Sequence, residues 1–283
     1  MTTNKTAKTS VNTESTVSPE LIASEFQFDP SLMGEEFNAV RIPRLPYAIV
    51  INDNPCGIFI PEKNAIKAGW TNFEGLTEVE LPSGTKEKGL FLSKVRMAVL
   101  GNVPPYIRYK TGDELGDLAG IVVGSYEFDR HLLDKKTMEV VSEHLVMFLD
   151  QSNNLLHTRP LRIRFKNVAL WSLREALEEF YIAIELVFAK LTQTNASGKN
   201  DKWRSLCVFA AEFKAIKEGE GSNKSYCCKV GNYTMPSIEN FGSIFLGTKI
   251  HKEQIWECYD MNISSLQPKA LPGSEQMLLR SAE

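Results

Sequence analysis

No run of apolar residues in this 283-residue chain approaches the roughly 18 to 20 that a helix needs to cross a bilayer. The first stretch, Met1 to Ser18, is rich in Thr, Ser and Asn and has no apolar h-region, so no secretory signal is read and a cytoplasmic location is expected. Cysteine is sparse and awkwardly placed: Cys56, Cys207, Cys227, Cys228 and Cys258. An odd count with two adjacent members does not suit a disulfide framework, and reduced thiols are the expectation. Zinc needs pairs that converge on one ion, and no C-x2-C is present. The four histidines, 131, 144, 157 and 251, are scattered and fit no H-E-x-x-H pattern. His251 and Cys258, about two helical turns apart, are the nearest approach to a ligand pair. No metal and no cofactor are expected.

Catalytic signatures are missing as well. There is no G-x-x-x-x-G-K, no G-x-S-x-G and no G-x-G-x-x-G, which removes the marks of a P-loop, a hydrolase elbow and a dinucleotide site. Asp113, Glu114 and Asp117 could serve a metal-assisted hydrolase, but acidic loops flanked by glycine are mostly solvated turns. No enzymatic activity is expected. Bulk positive charge is absent too: the net charge of −3 excludes a protein that holds nucleic acid by charge alone.

What is present reads as an α+β chain rich in strands. The leader 1–37 is expected to be mostly disordered: Met1 to Ser18 is polar, and Pro19 to Phe37 is mixed with a short apolar run before Gly34. Residues 38–262 read as one elaborated β-rich body and 263–283 as a loose tail. Tyr47 to Ile51 and Gly57 to Ile60 flank Asn52-Asp53-Asn54-Pro55, a hairpin signal. Thr77 to Leu81, Gly89 to Leu100, Val103 to Lys110 and Leu118 to Phe128 continue as strands. Met138 to Leu149 is apolar and β-branched, which favours a strand over a buried helix. Pro160 to Lys166 alternates, with Leu161, Ile163 and Phe165 on one face and Arg162, Arg164 and Lys166 on the other. Ser172-Leu-Arg-Glu175 has the form of a capping box, and Leu173, Leu177, Phe180, Ile184, Val187 and Leu191 recur at helical spacing. Arg204 to Ile216 and Tyr226 to Gly231 predict a hairpin around a glycine-rich loop. Ser237 to Leu246 and Lys252 to Asp260 predict closing helices. Strands, helix, then two strands is the element order of an OB-like, partly open barrel.

The charge is unevenly spread. Residues 155–230 hold 13 Lys and Arg against 8 Asp and Glu inside an acidic chain. Arg162, Arg164 and Lys166 repeat along one strand face at roughly 6.5 to 7 Å, near the spacing of phosphates in an extended single strand. They suit a phosphate track if nothing else pairs them; the plainer reading is a solvated face with glutamates across the sheet. Tyr106, Arg108 and Lys110 share a second strand face, where stacking and phosphate neutralisation could combine. Lys202-Trp203-Arg204 is a third instance at an expected strand start, with Trp203 better suited to plugging a core or edge. Lys94 and Arg96 make a fourth, and Tyr226 is a further stacking candidate.

On the stretch His144 to Lys166, the helix after it, and the strands from Cys207 to Lys217 and near Gly231, the chain resembles a cyanobacterial family of uncharacterised proteins. It is similar, more distantly, to phage-encoded single-stranded DNA-binding proteins of OB type. The resemblance covers about half the chain and implies a non-enzymatic role in replication, recombination or mobile-element biology. Gln267 to Glu283 departs from the acidic tail by which such proteins recruit partners.

These readings converge on a binding protein for single-stranded nucleic acid, with Arg162, Arg164, Lys166, Arg108, Lys110, Lys202 and Arg204 on phosphates and Tyr106 and Trp203 on bases. The rival is a protein-assembly module, a homo-oligomer or host-protein binder, built on the apolar helix 173–191 and the segment Phe241 to Leu246. Neither needs a membrane.

Overall fold

A computed structural model describes residues 45–81, 84–219, 221 and 224–266. The expected leader, the tail from 267 and the side chain of Asp113 lie outside the described residues.

The chain opens with the expected hairpin: β1 (Tyr47–Ile51) and β2 (Gly57–Pro61) pair antiparallel across the Asn52 to Pro55 turn. Helix α1 (Glu62–Ala68) follows and stops at Gly69, whose φ of 74° suits a residue without a Cβ. Next come β3 (Thr77–Glu80), β4 (Lys86–Leu92), β5 (Lys94–Asn102), β6 (Tyr106–Tyr109) and β7 (Val122–Ser125), then the single turn α2 (Tyr126–Asp129). The β-branched stretch after it is a strand, β8 (Met138–Phe148), as its composition favoured. β9 (Leu161–Lys166) runs directly into the long helix α3 (Asn167–Thr192). The turn α4 (Asp201–Arg204), the hairpin β10 (Val208–Glu218) and β11 (Ser225–Tyr233), α5 (Phe241–Ile244) and α6 (Lys249–Asn262) complete the order, and a 3-10 turn at Ile263–Leu266 follows.

Two expectations are corrected. Helix α3 does not begin at the Ser172 capping box but at Asn167, since Val168, Ala169 and Leu170 extend it and Ala169 and Leu170 have buried side chains to place. Asn167 makes the strand-to-helix turn at φ 44°, and its Oδ1 accepts the Val140 N–H at 3.1 Å. Ser172 therefore sits inside the helix. Lys202-Trp203-Arg204 is not a strand start but the turn α4, capped by Asn200, whose Oδ1 accepts the Trp203 N–H at 3.0 Å.

The eleven strands among the described residues join one sheet, ordered β11-β10-β5-β8-β9-β1-β2-β4-β3, with β6 paired to β8 and β7 to β6. The sheet curls into a half-barrel around α3. Its strands alternate, so each presents two different faces. One face sends Met97, Phe148, Ile163, Phe165 and Phe209 against Leu173, Leu177, Phe180 and Ile184 of α3. Full burial of such a side chain contributes roughly 1.5–3 kcal/mol, so this layer dominates stability. The opposite face sends Ala98, Leu100, Leu145, Met147 and Val208 against Ile255 and Cys258 of α6 and against Leu266.

At the sheet's end, β11 has outward N–H groups with no strand to receive them among the described residues. Side chains take that place: Asn52 Oδ1 accepts from Cys228 at 2.9 Å and Ser172 Oγ from Val230 at 3.0 Å. Unpaired strand edges invite association, and this one is closed internally at those two positions. Among the described residues no helix is long and apolar enough to cross a membrane.

Candidate binding surfaces

The face of β8 and β9 away from α3 changes character along its length. Where α6 and the following turn cover it, Leu145 and Met147 are apolar. Beyond that cover it carries charge. Register sets Glu143 opposite Arg164 and Leu145 opposite Arg162 across β8 and β9, and sets Arg108 opposite Glu139 across β6 and β8.

The expected open, unpaired track is not what forms there. Glu143 bridges two arginines: Arg164 Nη2 lies 2.5 Å from its Oε1 and Arg162 Nη1 lies 3.2 Å from its Oε2. Tyr106 also donates to Glu143, at 3.1 Å. Glu139 receives Arg108 through two N–H groups, at 2.6 and 2.9 Å, and Lys166 at 3.1 Å. Arg162 further donates to the Ser265 carbonyl at 2.7 Å. The reason is cross-strand spacing: carboxylates four apart on β8 share a face and meet cations on both neighbouring strands. Burial pushes the Glu143 carboxyl up, but the hydrogen bond and charge of Arg164 and the charge of Arg162 outweigh it and hold it below the ordinary range. Burial lowers the Lys166 ammonium despite Glu139.

The charge is compensated only in part. Four cations share two carboxylates, and the side chains of Arg162, Arg164 and Lys166 remain 31, 42 and 36% exposed. A surplus of two positive charges therefore stays on this face. Glu139 and Glu143 were the residues that the sequence reading passed over. The signal was available, since two charges four apart in a strand this rich in apolar residues need partners.

The remaining expected residues do not join them. Lys110 donates to the carbonyls of Lys135 and Lys136 at 2.8 and 2.7 Å. Lys202 pairs with Asp260 at 2.7 Å and lies over the Trp256 and Tyr259 rings. Arg204 pairs with the buried Glu185 at 2.9 Å and covers the Tyr181 ring. Trp203 packs against Phe188 and Phe245, ring centres 5.2 and 5.0 Å apart, so it plugs a core instead of offering a free stacking face. Arg96 is consumed by Asn153, the Asp150 carbonyl and the Ser243 carbonyl. Tyr226 lies under Lys217. Among the described residues no group of three His, Cys, Asp or Glu could hold a metal, which leaves the Asp113, Glu114, Asp117 loop without a described cluster.

A second surface emerges on α3. Its sheet-facing side is buried, but Ile182 and Leu186, one turn apart on the opposite side, are each 54% exposed. Glu175, Glu178 and Glu179 precede them, all exposed, and a shallow groove runs along Trp171, Arg174, Glu175, Glu178, Glu179 and Ile182. A second groove follows α3 against β11, between Glu175 and Glu179 on one side and Val230 to Tyr233 on the other. Tyr233 donates to Glu179 there at 2.6 Å. Ile182 and Leu186 are bordered by three carboxylates, with the cations Arg174 in the first groove and Lys190 one turn beyond Leu186, so the net acidic rim suits an amphipathic partner of net positive charge. Segment 241–246, by contrast, is turned inward: Phe241 and Phe245 pack against Phe188 with tilted rings.

Comparison with known proteins adds family membership and no activity. A family model described as "Domain of unknown function (DUF5895)" matches residues 42–277. Uncharacterized protein 254L of Invertebrate iridescent virus 6 is 24% identical over 178 residues, which is 62% of this chain and 52% of that protein. The chain thus spans about half the length of that curated relative. No solved structure matches.

Proposed function

Because the chain belongs to the DUF5895 family, whose description assigns no function, we propose its role from geometry: a non-enzymatic protein-binding module whose outward α3 face docks a basic amphipathic segment of a partner. The supporting observation is Ile182 and Leu186, half exposed and one helical turn apart, beside Glu175, Glu178 and Glu179. Covering the exposed half of each aliphatic side chain contributes about 1 kcal/mol. Each glutamate meeting a Lys or Arg at the rim adds roughly 0.2–1 kcal/mol and more in on-rate and selectivity.

The test uses a synthetic helix with leucines at four-residue spacing and flanking lysines, titrated into the full chain and followed by fluorescence anisotropy. Saturable binding that weakens at least tenfold in Ile182→Ser/Leu186→Ser, and that falls with salt, supports the reading. Binding that ignores that double variant refutes it. Light scattering on the eluting protein separates the case in which the occupant of α3 is a second copy of the chain.

Single-stranded nucleic acid is the second reading, and one observation favours it: the surplus of two positive charges among Arg108, Arg162, Arg164 and Lys166. The OB-like path, the similarity to phage single-strand-binding proteins and the cyanobacterial family belong to this reading. A labelled oligonucleotide titrated at several salt concentrations tests it; a salt-dependent affinity lost in Arg162→Ser/Arg164→Ser/Lys166→Ser supports it, and no binding at low salt refutes it.

A further inference from the structure

Strand β10 outruns one of its two neighbours. Val208 to Glu212 pair with β5, and the Phe213 N–H donates to the Ser93 carbonyl at 2.7 Å, just ahead of the first residue of β5. From Lys214 to Glu218 the strand continues beside β11 alone. Backbone groups alternate in direction along a strand, so those of Ala215 and Lys217 point the same way as the Phe213 N–H. No strand among the described residues receives them. Lys214, Ile216 and Glu218 share the opposite side-chain face from Ala215 and Lys217. Lys214 is exposed, and Ile216 is 41% exposed beside an open backbone edge.

We propose that this free edge of β10 pairs antiparallel with the same edge of a second copy of the chain, about a two-fold axis at Ile216. Open edges are templates for another strand, and the side chains here select which one. About that axis Ala215 of each copy faces Lys217 of the other, and their outward N–H and C=O groups exchange hydrogen bonds. Ile216 faces its own counterpart as a non-hydrogen-bonded pair, the kind in which side chains approach most closely. Lys214 faces Glu218 of the second copy, and symmetry makes that pair twice. Glu218 already pairs with Lys229 of its own chain, yet its side chain stays 40% exposed and has room for a second ammonium.

Other registers are disfavoured by the same residues. An axis at Lys214 opposes two lysines, and one at Glu218 opposes two glutamates. An axis at Ala215 or Lys217 sets Ile216 against a charged side chain. The strand at the other end of the sheet, β3, lacks this complementarity: self-pairing about Val79 would set Glu78 against Glu80. The β10 edge is also separate from the outward face of α3, so a second copy bound here leaves that face to its own partner.

The test is sedimentation equilibrium of the full chain, carried up to about 1 mM because so short an edge buries too little area for a tight dimer. A reversible dimer is expected. Its dissociation constant should rise at least tenfold in Lys214→Glu and return to within about threefold of the parent value in Lys214→Glu/Glu218→Lys, since the swap restores opposite charges across the axis. Register is read in a Cys227→Ser background, needed because Cys227 lies opposite Ile216 within the hairpin. With oxidised glutathione as the oxidant, Ile216→Cys should give a disulfide-linked dimer, and Lys214→Cys should not. A chain that stays monomeric throughout, a dimer indifferent to Lys214→Glu, a dimer that the swap does not recover, or one lost instead in Ile182→Ser/Leu186→Ser would each overturn the proposal.

Discussion

Glu139→Gln is the sharpest perturbation of the charged face. Glu139 and Arg108 are 7 and 6% exposed at their side chains, and two guanidinium N–H groups reach one carboxylate oxygen at 2.6 and 2.9 Å. Removing the charge leaves Arg108 buried with a neutral acceptor, and it releases Lys166 as well. Breaking a buried pair costs roughly 3–5 kcal/mol. The amide oxygen retains one acceptor, and Lys166 is a third exposed and contributes little. A loss of about 3 kcal/mol is therefore expected, read as a lower urea midpoint at unchanged slope. The double variant Arg108→Met/Glu139→Met removes both charges and fills the space with apolar atoms, so it should recover most of that loss. A loss below about 1 kcal/mol in the single variant, or a double variant as unstable as the single, would refute the reasoning that Glu139 compensates a buried arginine.

Acid should weaken the fold through two histidines that burial holds near a pKa of about 4 each, His144 and His157. His157 donates through Nδ1 to the Arg159 carbonyl and accepts the Phe148 N–H at Nε2, so it is neutral in the fold. The unfolded chain binds these protons from about pH 6.5 downward. Stability is thus complete above that pH and lost as pH falls toward 4, by up to about 3 kcal/mol per histidine; a flat urea midpoint between pH 7 and 4.5 would contradict it. Trp203→Ala should cost about 2–3 kcal/mol by emptying the site between Phe188 and Phe245. Because Trp203 is packed into the core, the folded variant should keep whatever oligonucleotide affinity the chain has. Asn52→Ala leaves the Cys228 N–H without its acceptor at 2.9 Å and should cost roughly 1–3 kcal/mol, with faster amide exchange at Cys228 as the local readout.

Much of the architecture was legible because it rests on local periodicity. The alternation of Leu161 to Lys166 predicted β9 and both of its faces, and the spacing of Leu173, Leu177, Phe180 and Ile184 predicted the buried side of α3. What failed was pairing. Nothing within Pro160 to Lys166 says that the neighbouring strand brings Glu143 to Arg164, because register is set by the whole sheet. The capping motif at Ser172 misplaced the helix start because a cap pattern is silent about competent residues ahead of it. Arg204 looked free on the chain; its partner Glu185 comes from α3, and only the packed structure brings them to 2.9 Å. The outward face of α3 was not read, although Ile182 and Leu186 fall off the spacing that carries Leu177 and Ile184 and so were assignable to the opposite side.

The most direct measurement is methyl NMR of the full chain labelled at Ile, Leu and Val, recorded while the basic amphipathic peptide is added. The account predicts that the Ile182 and Leu186 methyl signals shift first and saturate together, with Ile163 and Phe-packed core methyls unmoved. Shifts centred instead on Ile49 and Val141, beside the charged face of β8 and β9, or no shifts at all, would contradict it.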